Sequence, residues 1–296
     1  MYDIIIVGAG PAGLTAALYA LRANKKVLVL EAKTYGGQIV NASKVENYPG
    51  VKSISGFDYA KALYEQVKDL GADFKFETVV RIDEDKNVTT SKNTYQAKAI
   101  ILATGAENRK LRLDNEENLV GKGVSYCATC DGNFYKNKVV AVVGGGNTAL
   151  EDAVYLSNIA SKVYLIHRRD SFRGEETYVD ELRKQENVEY ILNANIVKIN
   201  GEDKIESIDV KNIDGNIQTI VIDGLFIAVG QEPKNEIFKN IIEIDKNGYI
   251  ISEDGVHTSQ KGIYVAGDAR VKTLRQLTTA VSDGAVAATT AIKEMR

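Results

Sequence analysis

Two glycine-rich turns, each set between an apolar strand and a helix, constrain this chain more than any other feature. The first lies at the start. Residues 3–7 form an apolar run, followed by Gly8-Ala9-Gly10-Pro11-Ala12-Gly13, a helix predicted over 14–23, and a strand over 27–30 that ends in Glu31. This is the dinucleotide fingerprint in a strand–turn–helix–strand setting. Gly8 permits the tight turn, Gly10 lets a pyrophosphate approach the backbone, and Gly13 lets the helix pack on the strand. The helix N-terminus offers free N–H groups and the positive end of its dipole to phosphates. Glu31 is placed to accept from the ribose hydroxyls of an adenosine.

The second turn follows a strand over 139–143. It reads Gly144-Gly145-Gly146-Asn147-Thr148-Ala149, with a helix over 150–158 and a strand over 163–166. Gly144, Gly146, Asn147 and Thr148 are its candidate nucleotide contacts. Here the second strand ends not in an acid but in His167-Arg168-Arg169, with Arg173 four residues on. An acid at that place repels a 2′-phosphate, whereas arginines bind it. Two charge-assisted contacts favour NADPH over NADH by roughly 10²–10⁴, toward the lower end where solvent screens them.

Each fingerprint is followed by the same series. A hairpin over 88–91 and 94–97 leads to an apolar strand over 100–105. A hairpin over 205–211 and 217–223 leads to one over 225–230. Near the C-terminus a strand over 262–266 ends in Gly267-Asp268, and a helix is predicted over 277–294. The first half needs that strand to complete its sheet. The predicted fold is therefore α/β, with two Rossmann-like domains, the second inserted in the first. The expected division is 1–113 and 246–296 for one domain and 114–245 for the other.

The 296 residues are 44% apolar, enough for two cores, and the net charge of −3 argues against a nucleic-acid binder. No basic leader precedes the first strand, and no apolar run reaches the ~18 residues of a membrane span. The expected compartment is the reducing cytosol. The chain has two cysteines, placed as Cys127-Ala128-Thr129-Cys130. In that compartment a lone C-x-x-C reads as catalytic. Zinc needs about four ligands, and the two histidines, His167 and His257, are distant in sequence, so no metal is expected. A pair that closes and reopens, beside two nucleotide folds, points to electron transfer from a nucleotide through a second cofactor to a disulfide. Asp131 is placed to move a proton to or from a thiolate, although the position also suits an ordinary first-turn acid.

These residues together resemble the low-molecular-weight thioredoxin reductases, flavoproteins with two dinucleotide-binding domains. The likeness spans essentially the whole chain. It rests on the two fingerprints, Gly36-Gly37-Gln38, Glu46-Asn47-Tyr48-Pro49-Gly50, Cys127 to Asp131, the arginine set, and Gly267-Asp268 with Arg275-Gln276. The resemblance implies FAD in the first domain, NADPH in the second, thioredoxin as protein substrate, and a homodimer. It implies that Gly8, Gly10, Gly13 and Glu31 hold the ADP part of FAD. Gln38 and Asn47 lie near its ring and ribityl chain, Asp268 bonds the ribityl or phosphate end, and Arg275 and Gln276 run along the flavin. It also implies that Cys130 faces the flavin and Cys127 attacks the partner disulfide. A nearby helix N-terminus lowers the thiol pKa.

Three places depart from the family pattern: Asn133 after Cys-Asp-Gly, Lys234-Asn235 after Pro233, and Ala269-Arg270 after Gly-Asp. None removes a required chemical group. The alkyl hydroperoxide reductase flavoprotein shares this core but carries a further N-terminal domain with its own cysteines. Ferredoxin- or flavin-dependent variants lack the arginine set, and ferredoxin–NADP reductases lack the C-x-x-C. A nucleotide-sensing protein without turnover is the alternative from another class.

Overall fold

The computed structural model describes residues 1–42 and 44–295. Its α-helices are α1 (Pro11–Arg22), α2 (Gly56–Asp69), α3 (Ala128–Asp131), α4 (Asn147–Ser157), α5 (Glu176–Leu182) and α6 (Leu277–Glu294). The chain forms two compact units: Met1–Glu107 with Glu232–Arg296, and Asn108–Gln231.

In the first unit the parallel strands run in the order Asp73–Phe76, Val27–Glu31, Tyr2–Val7, Thr94–Leu102. Thr94–Leu102 is one continuous strand with two partners besides Tyr2–Val7. Its first half pairs antiparallel with Asn87–Thr90, and its second half pairs parallel with Ile263–Val265. The C-terminal strand thus finishes the sheet begun at the N-terminus.

Side chains alternate between the two faces, as the pleat requires. Ile4, Ile6, Val27, Val29 and Ile101 face the layer of α1 and α6, while Ile5, Val7, Leu28, Leu30 and Ile100 face the other side with Phe238, Ile242 and Ile250. Small residues let α1 and α6 approach closely. A Cβ at Gly284 would stand 2.1 Å from the carbonyl oxygen of Ala12. Truncating a fully buried residue such as Ile5 or Ile101 to alanine costs about 2–5 kcal/mol.

In the second unit five parallel strands run in the order Val188–Ile191, Lys162–Ile166, Val139–Gly144, Gly224–Ala228, Val124–Ser125. One face packs α4 through Val140, Val142, Phe226 and Leu156. The other is covered by a three-stranded antiparallel sheet carrying Ile196, Ile199, Ile208, Val210 and Ile220. Among the described residues no helix is long and apolar enough to cross a membrane.

The strands that carry the chain from one unit to the other, Ala106–Asn108 and Gln231–Pro233, pair with each other as a two-stranded ribbon. The sequence places these crossings near 113 and 246. Leu111 and Leu113 pack into the core of the second unit, and Phe238 and Ile242 into that of the first, which sets the observed division.

Candidate active site

The edge strand Val124–Ser125 delivers the chain to Cys127, which caps α3; Cys130 lies within that helix. The two sulfurs are bonded, with the Cα atoms 5.3 Å apart. Ser125 organises the turn. Its Oγ accepts from the Cys127 N–H at 3.1 Å and donates to Asp131 Oδ2 at 2.7 Å. The Asp131 N–H in turn donates to the Cys127 carbonyl at 3.1 Å. Asp131 Oδ1 is buried with no hydrogen-bond partner. Burial pushes this carboxyl above the ordinary range, against the Ser125 bond that favours its ionised form. A carboxyl shifted in that direction stands where it can exchange a proton beside a disulfide.

Two further carboxyls support the pair. Buried Glu116 accepts from the N–H groups of Leu111 (3.1 Å), Arg112 (2.8 Å) and Leu113 (3.3 Å), and from the hydroxyl of Tyr126 at 2.7 Å. The residue preceding Cys127 is thereby tied to the segment entering this unit. Asp152 on α4 accepts from the Ala128 N–H; burial, with the charge of Glu151 adding, pushes it up to about 7.

The second glycine-rich turn lies at the C-terminal end of the parallel strand Val139–Gly144, which Gly224–Ala228 separates from the edge strand. Gly144 packs against the strand ending at Ala228, whose carbonyl oxygen a Cβ would meet at 2.3 Å, whereas nothing lies within 4 Å of a Cβ at Gly146, the N-cap of α4. That open edge suits a phosphate. Thr148 is exposed on the first turn of α4. The Asn147 amide is engaged, accepting from the Glu175 N–H at 2.8 Å and donating to its carboxylate at 2.9 Å. The Arg173 N–H donates to the Gly145 carbonyl at 2.7 Å, which brings that arginine to the turn.

Arg168, Arg169 and Arg173 are exposed, and among the described residues none of them makes an ion pair. His167 is separate from them. Its ring is buried beneath Gly145 and stacks on Phe172 with centroids 5.5 Å apart. Burial, then the three arginine charges, hold its pKa below the usual value. It shapes the turn as a neutral ring.

In the first unit Gly8 has a φ of +111°, and a Cβ there would lie 2.2 Å from the Ala103 carbonyl oxygen; one at Gly13 would lie 1.9 Å from that of Gly8. Only glycine fits either place. Gly10 caps α1 and faces Gly37. Glu31 ends its strand and accepts from the N–H groups of Ala9 and Lys33, both at 2.9 Å. A carboxylate has about four acceptor positions, so some remain for ribose.

Gln38 and Asn47 are exposed, and the Asn47 amide donates to Gln276 Oε1 at 3.2 Å. Gln276 also caps α6, accepting from the Thr279 N–H. Gly267 and Asp268 form the turn after Ile263–Val265. Asp268 Oδ1 and Arg275 Nε are buried without hydrogen-bond partners. An acceptor and a donor left unsatisfied on one loop fit a polar cofactor such as FAD.

Two of the three departures from the family pattern have structural partners. Asn235 is fully buried; it accepts from Thr104 and donates to the carbonyls of Gly248 and Ala269. Arg270 pairs with Asp283. Sequence reading missed Ser125, Glu116, Asp152, Lys272 and Asp283. Of these, only Ser125, two residues from Cys127, carries a local signal.

A closable cysteine pair on one of two dinucleotide folds defines a class, the nucleotide-dependent disulfide oxidoreductases. Residues 2–284 match the family model of the pyridine nucleotide-disulphide oxidoreductases, and the chain belongs to that family. It is 45% identical over 298 residues to the thioredoxin reductase of Listeria monocytogenes, covering 99% of this chain and 93% of the relative. It is also 45% identical over 296 residues to a 34.2 kDa protein in the rubredoxin operon of Clostridium pasteurianum, covering 98% and 96%. The solved thioredoxin reductase from Streptococcus pyogenes has a TM-score of 0.94 at 40% identity, covering 99% of this chain and 97% of that one.

Proposed function

We propose that this chain is an NADPH-dependent thioredoxin-disulfide reductase that carries FAD. The observation that supports the reading most is the Cys127–Cys130 disulfide beside the buried carboxyl of Asp131, whose pKa burial raises. The thioredoxin reductases among its relatives support the choice of partner.

The unit made of 1–107 and 232–296 holds FAD. The backbone at Gly8, Gly10 and Gly13 receives its pyrophosphate, Glu31 its adenosine ribose, and Asp268 its ribityl end, with Gln38, Asn47, Arg275 and Gln276 nearby. The unit 108–231 holds NADPH, with phosphates at Gly144 to Thr148 and the 2′-phosphate on Arg168, Arg169 and Arg173. The chemistry that FAD supplies when bound is two-electron transfer from NADPH to the disulfide.

Cys130 is the sulfur on the flavin side, and Asp131 supplies the proton that neutralises its thiolate. Cys127, as thiolate, attacks one sulfur of the partner disulfide and displaces the other as a thiolate, which takes a proton. Deprotonated Cys130 then attacks Cys127 Sγ. The Cys127–Cys130 bond re-forms, and the second partner thiol leaves. The partner gains two electrons and two protons; the pair loses the two electrons and the Cys130 proton, and solvent supplies the second proton. The cysteines and the NADPH site share one unit and take turns at one flavin, so that unit rotates about its two crossings between half-reactions. A homodimer in the reducing cytosol completes the reading.

The test is NADPH oxidation by the flavin-loaded protein with and without added thioredoxin. A rate that rises strongly only with thioredoxin supports the proposal. Flavin reduction by NADPH that thioredoxin leaves unchanged overturns the choice of partner and turns the search to another disulfide or carrier protein. NADPH that binds without reducing the flavin overturns the enzyme reading in favour of a sensor.

A further inference from the structure

Behind the Gly267–Ala269 turn lies a chain of charges that no sequence motif announced. Asp283, on α6, accepts from the Gly267 N–H at 3.1 Å. It also accepts from the Arg270 guanidinium through Nε and Nη2, each at 3.0 Å, and from the Lys272 ammonium at 2.9 Å. These side chains are largely withdrawn from solvent, with 11% of Asp283, 17% of Arg270 and 6% of Lys272 exposed.

Lys272 also donates to Thr279 Oγ1 at 3.1 Å, and its Nζ stands 3.9 Å from Asp268 Oδ1. That oxygen is buried and makes no hydrogen bond. A buried ammonium is tolerated only where charge and hydrogen bonds compensate it. Asp283 does most of this, and the position of Lys272 is set by α6 rather than by Asp268.

We propose that Lys272 is a positioning residue for FAD: clamped between Asp283 and Thr279, it supplies the positive charge that fixes Asp268 as a hydrogen-bond acceptor for a hydroxyl of the ribityl chain. The inference rests on FAD binding in this unit. Asp268 is faced by three cations, Lys272, Arg275 and Arg270, and by one like charge, Asp283. Burial pushes its carboxyl up, and the cations, Lys272 first, pull it back. An ionised carboxylate accepts from a hydroxyl with both oxygens, while a protonated one gives up part of that capacity. Removing the Lys272 charge therefore moves protonation of Asp268 to higher pH. Arg270, by contrast, spends its donors on Asp283 and the Val271 carbonyl.

The experiment is FAD release from the holoprotein, followed by the rise of free-flavin fluorescence on dilution across a range of pH. Lys272→Gln keeps donors for Asp283 and Thr279 and removes the charge. Its expected release at neutral pH is about 10- to 100-fold faster than wild type, the loss of one charge-assisted contact. Its acid-side acceleration starts at higher pH. Lys272→Arg is expected to restore the wild-type profile. Should the glutamine variant fail to fold, Lys272→Met makes the same comparison. Wild-type rates and profile in the neutral variant overturn the proposal. So does an acceleration equal at every pH, which marks Lys272 as a packing residue only. A wild-type protein that holds no flavin overturns the FAD reading itself, an outcome distinct from either.

Discussion

Ser125 Oγ donates to Asp131 Oδ2 at 2.7 Å while the other oxygen of that carboxyl is buried and unpaired, so one serine is all that counters the desolvation of the acid beside the disulfide. In the proposed role of proton donor, Asp131 acts in its protonated form, which is present below its pKa and lost as pH rises through it. Ser125→Ala removes the bond that favours the ionised form, so the alkaline limb of thioredoxin-dependent turnover is expected to move to higher pH. Asp131→Asn is expected to slow turnover by about 10²–10⁴ and to erase that limb. Stability should move the other way. A carboxyl whose pKa is raised on folding makes the native state bind more protons than the unfolded one, and stability falls as pH rises across that window. The asparagine variant lacks this fall and is expected to match or exceed wild type at neutral pH in urea unfolding.

Cys127→Ser and Cys130→Ser separate the two half-reactions. Each variant should retain FAD, with its yellow colour, and accept electrons from NADPH, while thioredoxin reduction disappears. If Cys127 is the attacking sulfur, Cys130→Ser is expected to trap a mixed disulfide with the partner at Cys127, visible as a mass shift lost on reduction. Trapping by Cys127→Ser alone would reverse the two roles.

Arg168, Arg169 and Arg173 stand exposed around the second turn without an acidic partner among the described residues. Replacing any one by glutamine should raise the KM for NADPH about tenfold, a charge-assisted bond at the solvent-exposed end of its range. The KM for NADH, which has no 2′-phosphate, should stay put. An equal rise for both nucleotides would place the arginine elsewhere on the cofactor.

Patterns carried by near neighbours in sequence were legible in the chain. The helix expected over 277–294 is α6, Leu277–Glu294, and the strand expected over 139–143 is Val139–Gly144. Pieces expected separately over 94–97 and 100–105 are joined in Thr94–Leu102, because its exposure changes midway, where the antiparallel partner gives way to a parallel one. Helix α2 escaped notice because only Gly56, Ala60 and Val67 of its fourteen residues are buried, too sparse a stripe to read as a periodicity. At the candidate site, Cys127, Cys130 and Asp131 could be named from adjacency. Glu116, Asp152 and Asp283 could not: Glu116 accepts from nearby backbone N–H groups, which any residue offers, and the partners of Asp152 and Asp283 come from other elements.

Glu116 offers a stability test away from the sulfur chemistry. Tyr126→Phe removes one donor and leaves the three backbone bonds to Glu116 intact, at an expected cost of about 1 kcal/mol in urea unfolding. Glu116→Leu removes the acceptor of three partly buried N–H groups at once and is expected to cost more than Tyr126→Phe. In a double-mutant cycle the two losses should fall short of additivity by about the value of the Tyr126–Glu116 bond.

His257 joins the end of α6 to the loop before Ile263–Val265. One ring nitrogen meets Asp254, and the other lies 2.8 Å from Glu294, which also accepts from Tyr264 at 2.8 Å. The two carboxylates, Asp254 first, raise the His257 pKa, while the hydrogen bonds of each carboxyl hold it below its usual range. Because the histidine pKa is raised on folding, its contribution is full below the unfolded value near ~6.5 and is lost as pH rises through the folded value. On the acid side it is lost again as pH falls through the depressed carboxyl values. The clamp therefore works in a window bounded by those two losses. His257→Gln should be less stable than wild type inside the window and equal to it on the alkaline side. All three side chains are substantially exposed, so the deficit should stay below about 1 kcal/mol and shrink in high salt. Melting temperatures of both proteins across pH, at low and high ionic strength, decide it. A deficit that persists unchanged on the alkaline side would mean that the imidazole acts through packing and not through its charge.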